Sequence, residues 1–160
     1  MSSFDEYVRA RGSGLLRFAY LLCQDRHLAE DLTQEALARC HRSWKRVSNA
    51  GDPDAYVRKA VLRQFLSWRR RKSAMEKITA DMTAHERSLD DGSASRAERS
   101  VLWTRLAALP RKQRAALVMR FYLDLDYAAI SALMGCAEST ARVHVHKGLA
   151  TLRTTDLAHV

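Results

Sequence analysis

The apolar positions of this chain recur every three or four residues over several stretches, the spacing of one face of a helix. The clearest case is 54–72, where Val57, Val61, Phe65 and Trp68 form one stripe and Lys59, Arg63, Ser67 and Arg70 the opposite one. Asp52 precedes it as an N-cap and Pro53 as a first helical residue, and no glycine or proline follows until Gly92. This helix is expected to bury one side and carry a basic rail on the other. Upstream, Phe4–Leu22 reads as a helix with Phe4, Val8, Leu15, Phe18 and Leu22 on or near one face, and Gly12 and Gly14 are expected to bend or split it. A second helix is capped by Asp25, with Leu28, Leu32, Ala36, Cys40 and Trp44 spaced by fours. Its other face is mixed and partly acidic: Asp31, Gln34, Glu35, Ala38 and Arg42. Val47–Pro53 reads as a loop into the rail helix, and three helices of this length can close a small bundle.

From Ser73 to Ala97 large apolar residues become scarce, and Asp90–Ser95 reads Asp-Asp-Gly-Ser-Ala-Ser. This is the composition of a linker, with at most a weak helix in Met75–Glu86. Helical spacing resumes at Val101, Leu102, Leu106 and Leu109, and Pro110 breaks and restarts the helix. Residues 111–122 follow with Leu117, Val118 and Phe121 as expected core. Asp126 is placed to cap a short helix, Tyr127–Met134, which ends in a turn at Gly135-Cys136. A last helix is expected from Glu138 to about Arg153, burying Ala141, Val145, Leu149 and Leu152. Its exposed stripe is Ser139, Arg142, Val143, His146 and Lys147. Short helix, glycine turn and longer helix form a helix-turn-helix pattern. The reading is all-α: two small helical modules, 1–72 and 98–160, joined by a flexible linker, 73–97.

Composition narrows the function. Lys and Arg number 27 against 18 Asp and Glu, a formal charge of +9, which favours a polyanionic partner. The two modules carry about +7 and +4 and the linker about −2, so both basic blocks belong to the modules. No apolar run approaches the roughly 20 residues of a membrane span, and the N-terminus has no signal-peptide pattern. Cys23, Cys40 and Cys136 fit no zinc or redox spacing, and reduced thiols in a cytoplasmic protein are expected. No histidine lies in a His-Glu-x-x-His pattern, no glycine-rich phosphate loop is present, and His144 and His146, two apart, do not share a helix face. An enzyme is therefore not expected, nor any cofactor or metal.

Ala29–Leu37 (Ala-Glu-Asp-Leu-Thr-Gln-Glu-Ala-Leu) resembles the polymerase-binding part of region 2 of bacterial RNA polymerase sigma factors of the extracytoplasmic-function type. Leu106–Tyr122, Tyr127–Cys136 and Ser139–Lys147 are similar to region 4 of the same family, which reads the −35 element. The resemblance covers nearly the whole chain apart from the linker. It implies that Asp31, Gln34 and Glu35 dock on the β′ clamp helices of core RNA polymerase and that the β flap is a further contact. It also implies that Lys59, Arg63, Ser67 and Arg70 lie at the −10 element of promoter DNA. The loop Val47–Gly51 would capture a flipped base, with Asn49 placed either to read its edge or in a plain solvated turn. Arg142, Val143, His146 and Lys147 would enter the −35 major groove, where Arg bonds guanine and Val touches a thymine methyl. Ser139 and Thr140, at the helix start, would hold a phosphate. An anti-sigma factor is the implied regulatory partner. The chain departs from the family at Arg63 and Ser67, where many members have Asn and Asp, and at Ala137, where a capping Ser is usual. A helix-turn-helix regulator acting alone would account for the second module but not for the acidic face or the rail. An adaptor that titrates an anti-sigma partner would keep the fold and lose the transcription role.

Overall fold

The computed structural model describes the backbone of residues 3–72 and 96–158 and the side chains of 3–67 and 101–154. Among these residues there are helices and turns and no strand. The chain divides into two compact units, Met1–Arg87 and Ser88–Val160. The linker segment 73–95, including the weak helix expected in Met75–Glu86, lies outside the described residues.

In the first unit α1 is Phe4–Cys23, α2 Arg26–Arg42, α3 Trp44–Asn49 and α4 Pro53–Lys72. Their starts follow the caps in the sequence. Ser3 Oγ accepts from the Glu6 amide at 3.1 Å, Asp25 Oδ1 from Leu28 at 3.1 Å, and Asp52 Oδ1 from Ala55 at 3.1 Å. The α1 helix is not split at Gly12 and Gly14 but runs unbroken through both. Tyr7 on one side and Leu15, Phe18, Ala19 and Leu22 on the other are buried, and this packing outweighs the roughly 1 kcal/mol propensity cost of each glycine. The core joins α1, α2 and α4 through Phe18, Leu22, Leu32, Ala36, Cys40, Val57, Val61, Leu62 and Phe65. Leu28 and Phe4 are only half-buried, and the Trp68 side chain lies outside the described residues.

The expected loop Val47–Pro53 is mostly helix. Val47 is fully buried, and Trp44 meets Phe4 edge-to-face at 5.4 Å and Tyr7 at a tilt at 5.1 Å between ring centroids. These two anchors hold Trp44–Asn49 as a short helix and reduce the connection to residues 50–52.

In the second unit α5 is Arg96–Ala108, α6 Arg111–Leu117, α7 Tyr127–Met134 and α8 Glu138–Ala158. A π-helical turn, Val118–Tyr122, extends α6. It is closed by Leu123 N–H donating to Val118 O at 3.2 Å, five residues back. The added residue turns the chain about its axis, so Phe121, expected in the core, is 63% exposed while Leu117, Val118 and Met119 are buried. Val101 and Leu102, which open the helical spacing of this segment, are 45% and 53% exposed, whereas Leu106 and Leu109 at its end are buried.

Asp126 Oδ1 caps α7 through Ala129 N–H at 2.8 Å, and Gly135 closes it at φ +69°, a left-handed conformation that suits glycine. The α8 helix extends past the expected end to Ala158. It buries Ala141, Val145 and Gly148, whereas Leu149 and Leu152 are half-buried. Gly148 permits a close approach: a Cβ there would lie 2.8 Å from Leu117 Cδ1.

Candidate functional site

The acidic face of α2 divides in two. Asp31 and Gln34 are exposed and unused by the fold. Glu35 is half-buried and faces α4, where Gln64 is only 4% exposed. With the amide oriented by its neighbours, Gln64 nitrogen donates to both Glu35 carboxylate oxygens at 3.3 Å and its oxygen accepts from Arg39 Nε at 3.0 Å. Arg39 Nη2 also lies 3.4 Å from Glu35 Oε1. Glu35 therefore braces α2 against α4, a packing role the expected free face had not included. Gln64 was missed because a polar residue between Arg63 and Phe65 gives no periodic signal of burial.

On the α4 rail, Arg63 is exposed, while Lys59 and Ser67 are half-buried. Ser67 Oγ donates to the Gln64 carbonyl at 3.4 Å, so its hydroxyl is partly engaged by its own helix. Arg70 belongs to α4, but its side chain lies outside the described residues. Asn49 is exposed at the end of α3. It borders an open cleft of about 390 Å³ lined by Arg42, Ser43, Lys45, Arg46 and Asn49. Lys45 and Arg46 were not singled out in the sequence. The available signal was two cations held between the apolar anchors Trp44 and Val47.

The α8 face is the more ordered array. Ser139, Thr140, Arg142, Val143, His146 and Lys147 are all exposed, on the side opposite buried Ala141, Val145 and Gly148. Ala141 N–H donates to Ala137 O at 3.0 Å, which puts Ala137 at the cap, where it has no side-chain acceptor. Tyr127 of α7 lies under this face. The Arg142 guanidinium carbon is 5.0 Å from its ring centroid and that of Arg120 is 5.1 Å away. His146 meets the ring edge-on at 6.4 Å. His144 is half-buried, and its pKa is lowered by burial and then by Lys112 and Lys147, which favours the neutral ring. Among the described residues no group of His, Cys, Asp or Glu is placed to hold a metal ion, and no helix is long and apolar enough to cross a membrane.

The two halves match two family models: Sigma-70 region 2 over residues 7–75 and Sigma-70, region 4 over residues 99–152. The chain is 33% identical over 150 residues to the RNA polymerase sigma-E factor of Streptomyces coelicolor, covering 94% of this chain and 84% of that one. The chain belongs to the RNA polymerase sigma factors of the extracytoplasmic-function type. A second relative, the ECF RNA polymerase sigma factor SigE of Mycolicibacterium smegmatis, is 31% identical over 162 residues, with 96% of this chain and 61% of that one covered. The fold is similar to that of the sigma factor RpoE of Bartonella quintana, solved in complex with the anti-sigma factor NepR, with a TM-score of 0.78, 18% identity and 94% of each chain covered. This sigma factor binds core RNA polymerase and directs promoter-specific transcription initiation. It is an initiation factor and not an enzyme.

Proposed function

We propose that three surfaces divide the work of this sigma factor. Asp31 and Gln34 dock on the β′ clamp helices of core polymerase, with Glu35 holding α2 in place behind them. Lys59, Arg63, Ser67 and Arg70 on α4 meet the −10 element, and Asn49 with Arg42, Lys45 and Arg46 accepts its displaced strand. Ser139, Thr140, Arg142, Val143, His146 and Lys147 read the −35 element, and the second module also contacts the β flap. The division 1–72, 73–97 and 98–160 assigns the first two surfaces to one module and the third to the other. An anti-sigma factor covers these surfaces in the resting cell, as suggested by the Bartonella complex, and the protein acts in the cytoplasm.

The observation that carries this reading is the α8 array, whose six side chains are all exposed on the side away from buried Ala141, Val145 and Gly148. Arg142 stands one turn into α8, at the end that approaches base edges in a docked helix-turn-helix. A bidentate Arg–guanine contact discriminates by about 1–3 kcal/mol. Holoenzyme carrying Arg142→Ala should therefore lose preference at one −35 position in a promoter-library selection. An unchanged −35 preference would remove Arg142 from the base-reading set.

A further inference from the structure

We propose that Tyr127 is a positioning residue for −35 recognition, its ring holding the Arg142 guanidinium at the angle from which it enters the groove. The proposal rests on the reading of Arg142 as a base reader and adds the residue that sets its geometry. Arg142 is exposed and makes no ion pair among the described residues, so a long side chain there would otherwise sample many rotamers. Its guanidinium carbon lies 5.0 Å from the Tyr127 centroid, within the range of cation–π attraction.

The ring is itself held from the other side of the motif. Arg120, at 5.1 Å from the same centroid, donates from Nη1 to the Leu125 carbonyl at 2.9 Å. Tyr127 is the first residue of α7, whose cap bond from Ala129 to Asp126 fixes the backbone there. A chain of contacts therefore runs from the Leu125 carbonyl through Arg120 and Tyr127 to Arg142. His146 against the ring edge puts a second member of the reading face on the same support. The π-helical turn ends just before this loop, at Tyr122. Its residue Arg120 is the anchor, so the irregular turn and the reading face share one ring.

A guanidinium already confined loses less freedom on docking, which favours the one base that the confined geometry fits. The ring face carries the effect, so Tyr127→Phe should preserve the −35 preference and Tyr127→Leu should not. With reconstituted holoenzyme and a promoter library, Tyr127→Leu should reduce discrimination about two- to fivefold at the position that Arg142→Ala relaxes. Tyr127→Leu combined with Arg142→Ala should be no worse there than Arg142→Ala alone. Full discrimination with Tyr127→Leu, while Arg142→Ala still relaxes the position, overturns the positioning role and leaves base reading intact. No change with Arg142→Ala overturns both.

A measurement on the unaltered full-length chain covers the case in which Tyr127→Leu fails to fold. In its NMR spectrum the Arg142 δ and ε protons should be shifted upfield by the ring current. Ordinary arginine positions for those protons overturn the proposal.

Discussion

Tyr7 and Asp54 are 47 residues apart and join α1 to α4: the phenol donates to Asp54 Oδ1 at 2.7 Å, and Arg58 Nη1 lies 3.4 Å from Oδ2. Burial, and then the bond and the negative charge of Asp54, raise the Tyr7 pKa far above its usual value of about 10. A raised pKa stabilises the fold below the unfolded value, and this contribution is lost as pH rises through the folded one. The first module should therefore weaken above about pH 10, where the unfolded chain releases the tyrosine proton and the folded chain keeps it. Tyr7→Phe should cost about 1.5–3 kcal/mol at neutral pH, the range for a bond to a charged group. Its stability should also decline less than that of the unaltered protein between pH 8 and 11 in urea unfolding. Equal alkaline slopes for the two proteins would dissociate Tyr7 from the effect. Such pairs are not legible in sequence, because helical periodicity places Tyr7 on a face and says nothing of its partner. The same holds for Gln64 with Glu35. What periodicity did locate was the side of the helix on which a residue lies: exposed Arg63, Arg142 and Lys147, and buried Val57, Val61 and Val145.

Helix starts were legible because a cap is local: Asp25, Asp52 and Asp126 each bond the amide three residues on. The misses arose where tertiary contacts changed a helix. Trp44 and Val47 drew a supposed loop into α3, and the π-helical turn rotated Phe121 out of the core. Glycine shows the same limit, since one residue type has opposite meanings at two helical sites. Gly14 has nothing within 4 Å of an added Cβ, whereas at Gly148 the Cβ would meet Leu117 Cδ1 at 2.8 Å and Cγ at 3.1 Å. Leu117 is 4% exposed and has little room to yield. Gly14→Ala should therefore gain up to about 1 kcal/mol from helix propensity. Gly148→Ala should lose about 1 kcal/mol net, because overpacking of roughly 1–3 kcal/mol exceeds the same propensity gain. Thermal melts of the full chain should move in opposite directions for the two variants. A rise with Gly148→Ala would mean that α6 and α8 separate at little cost.

At the scale of the whole molecule the formal charge of +9 has to serve two partners of different chemistry. In the division of surfaces proposed above, core polymerase is met by an acidic face and promoter DNA by basic ones, so a single charge change should affect one and spare the other. Asp31 is exposed and holds nothing in the fold, unlike Glu35, which is tied to Gln64 and Arg39. Asp31→Lys should therefore weaken core binding without lowering the melting temperature, whereas Glu35→Lys should lower both. Arg63 is exposed on the α4 rail, where a cation that meets only phosphate displaces condensed counterions and reads no base. Arg63→Ala should leave core binding unchanged and weaken all promoters alike. The slope of log affinity against log salt should fall by about 0.9 if the contact is to duplex DNA and about 0.7 if it is to a melted strand. Titrating each holoenzyme on two unrelated promoters across a salt series measures both effects. A promoter-dependent loss with Arg63→Ala would make this arginine a base reader. A loss of core binding with Arg63→Ala would instead mean that the rail and the docking face are one surface.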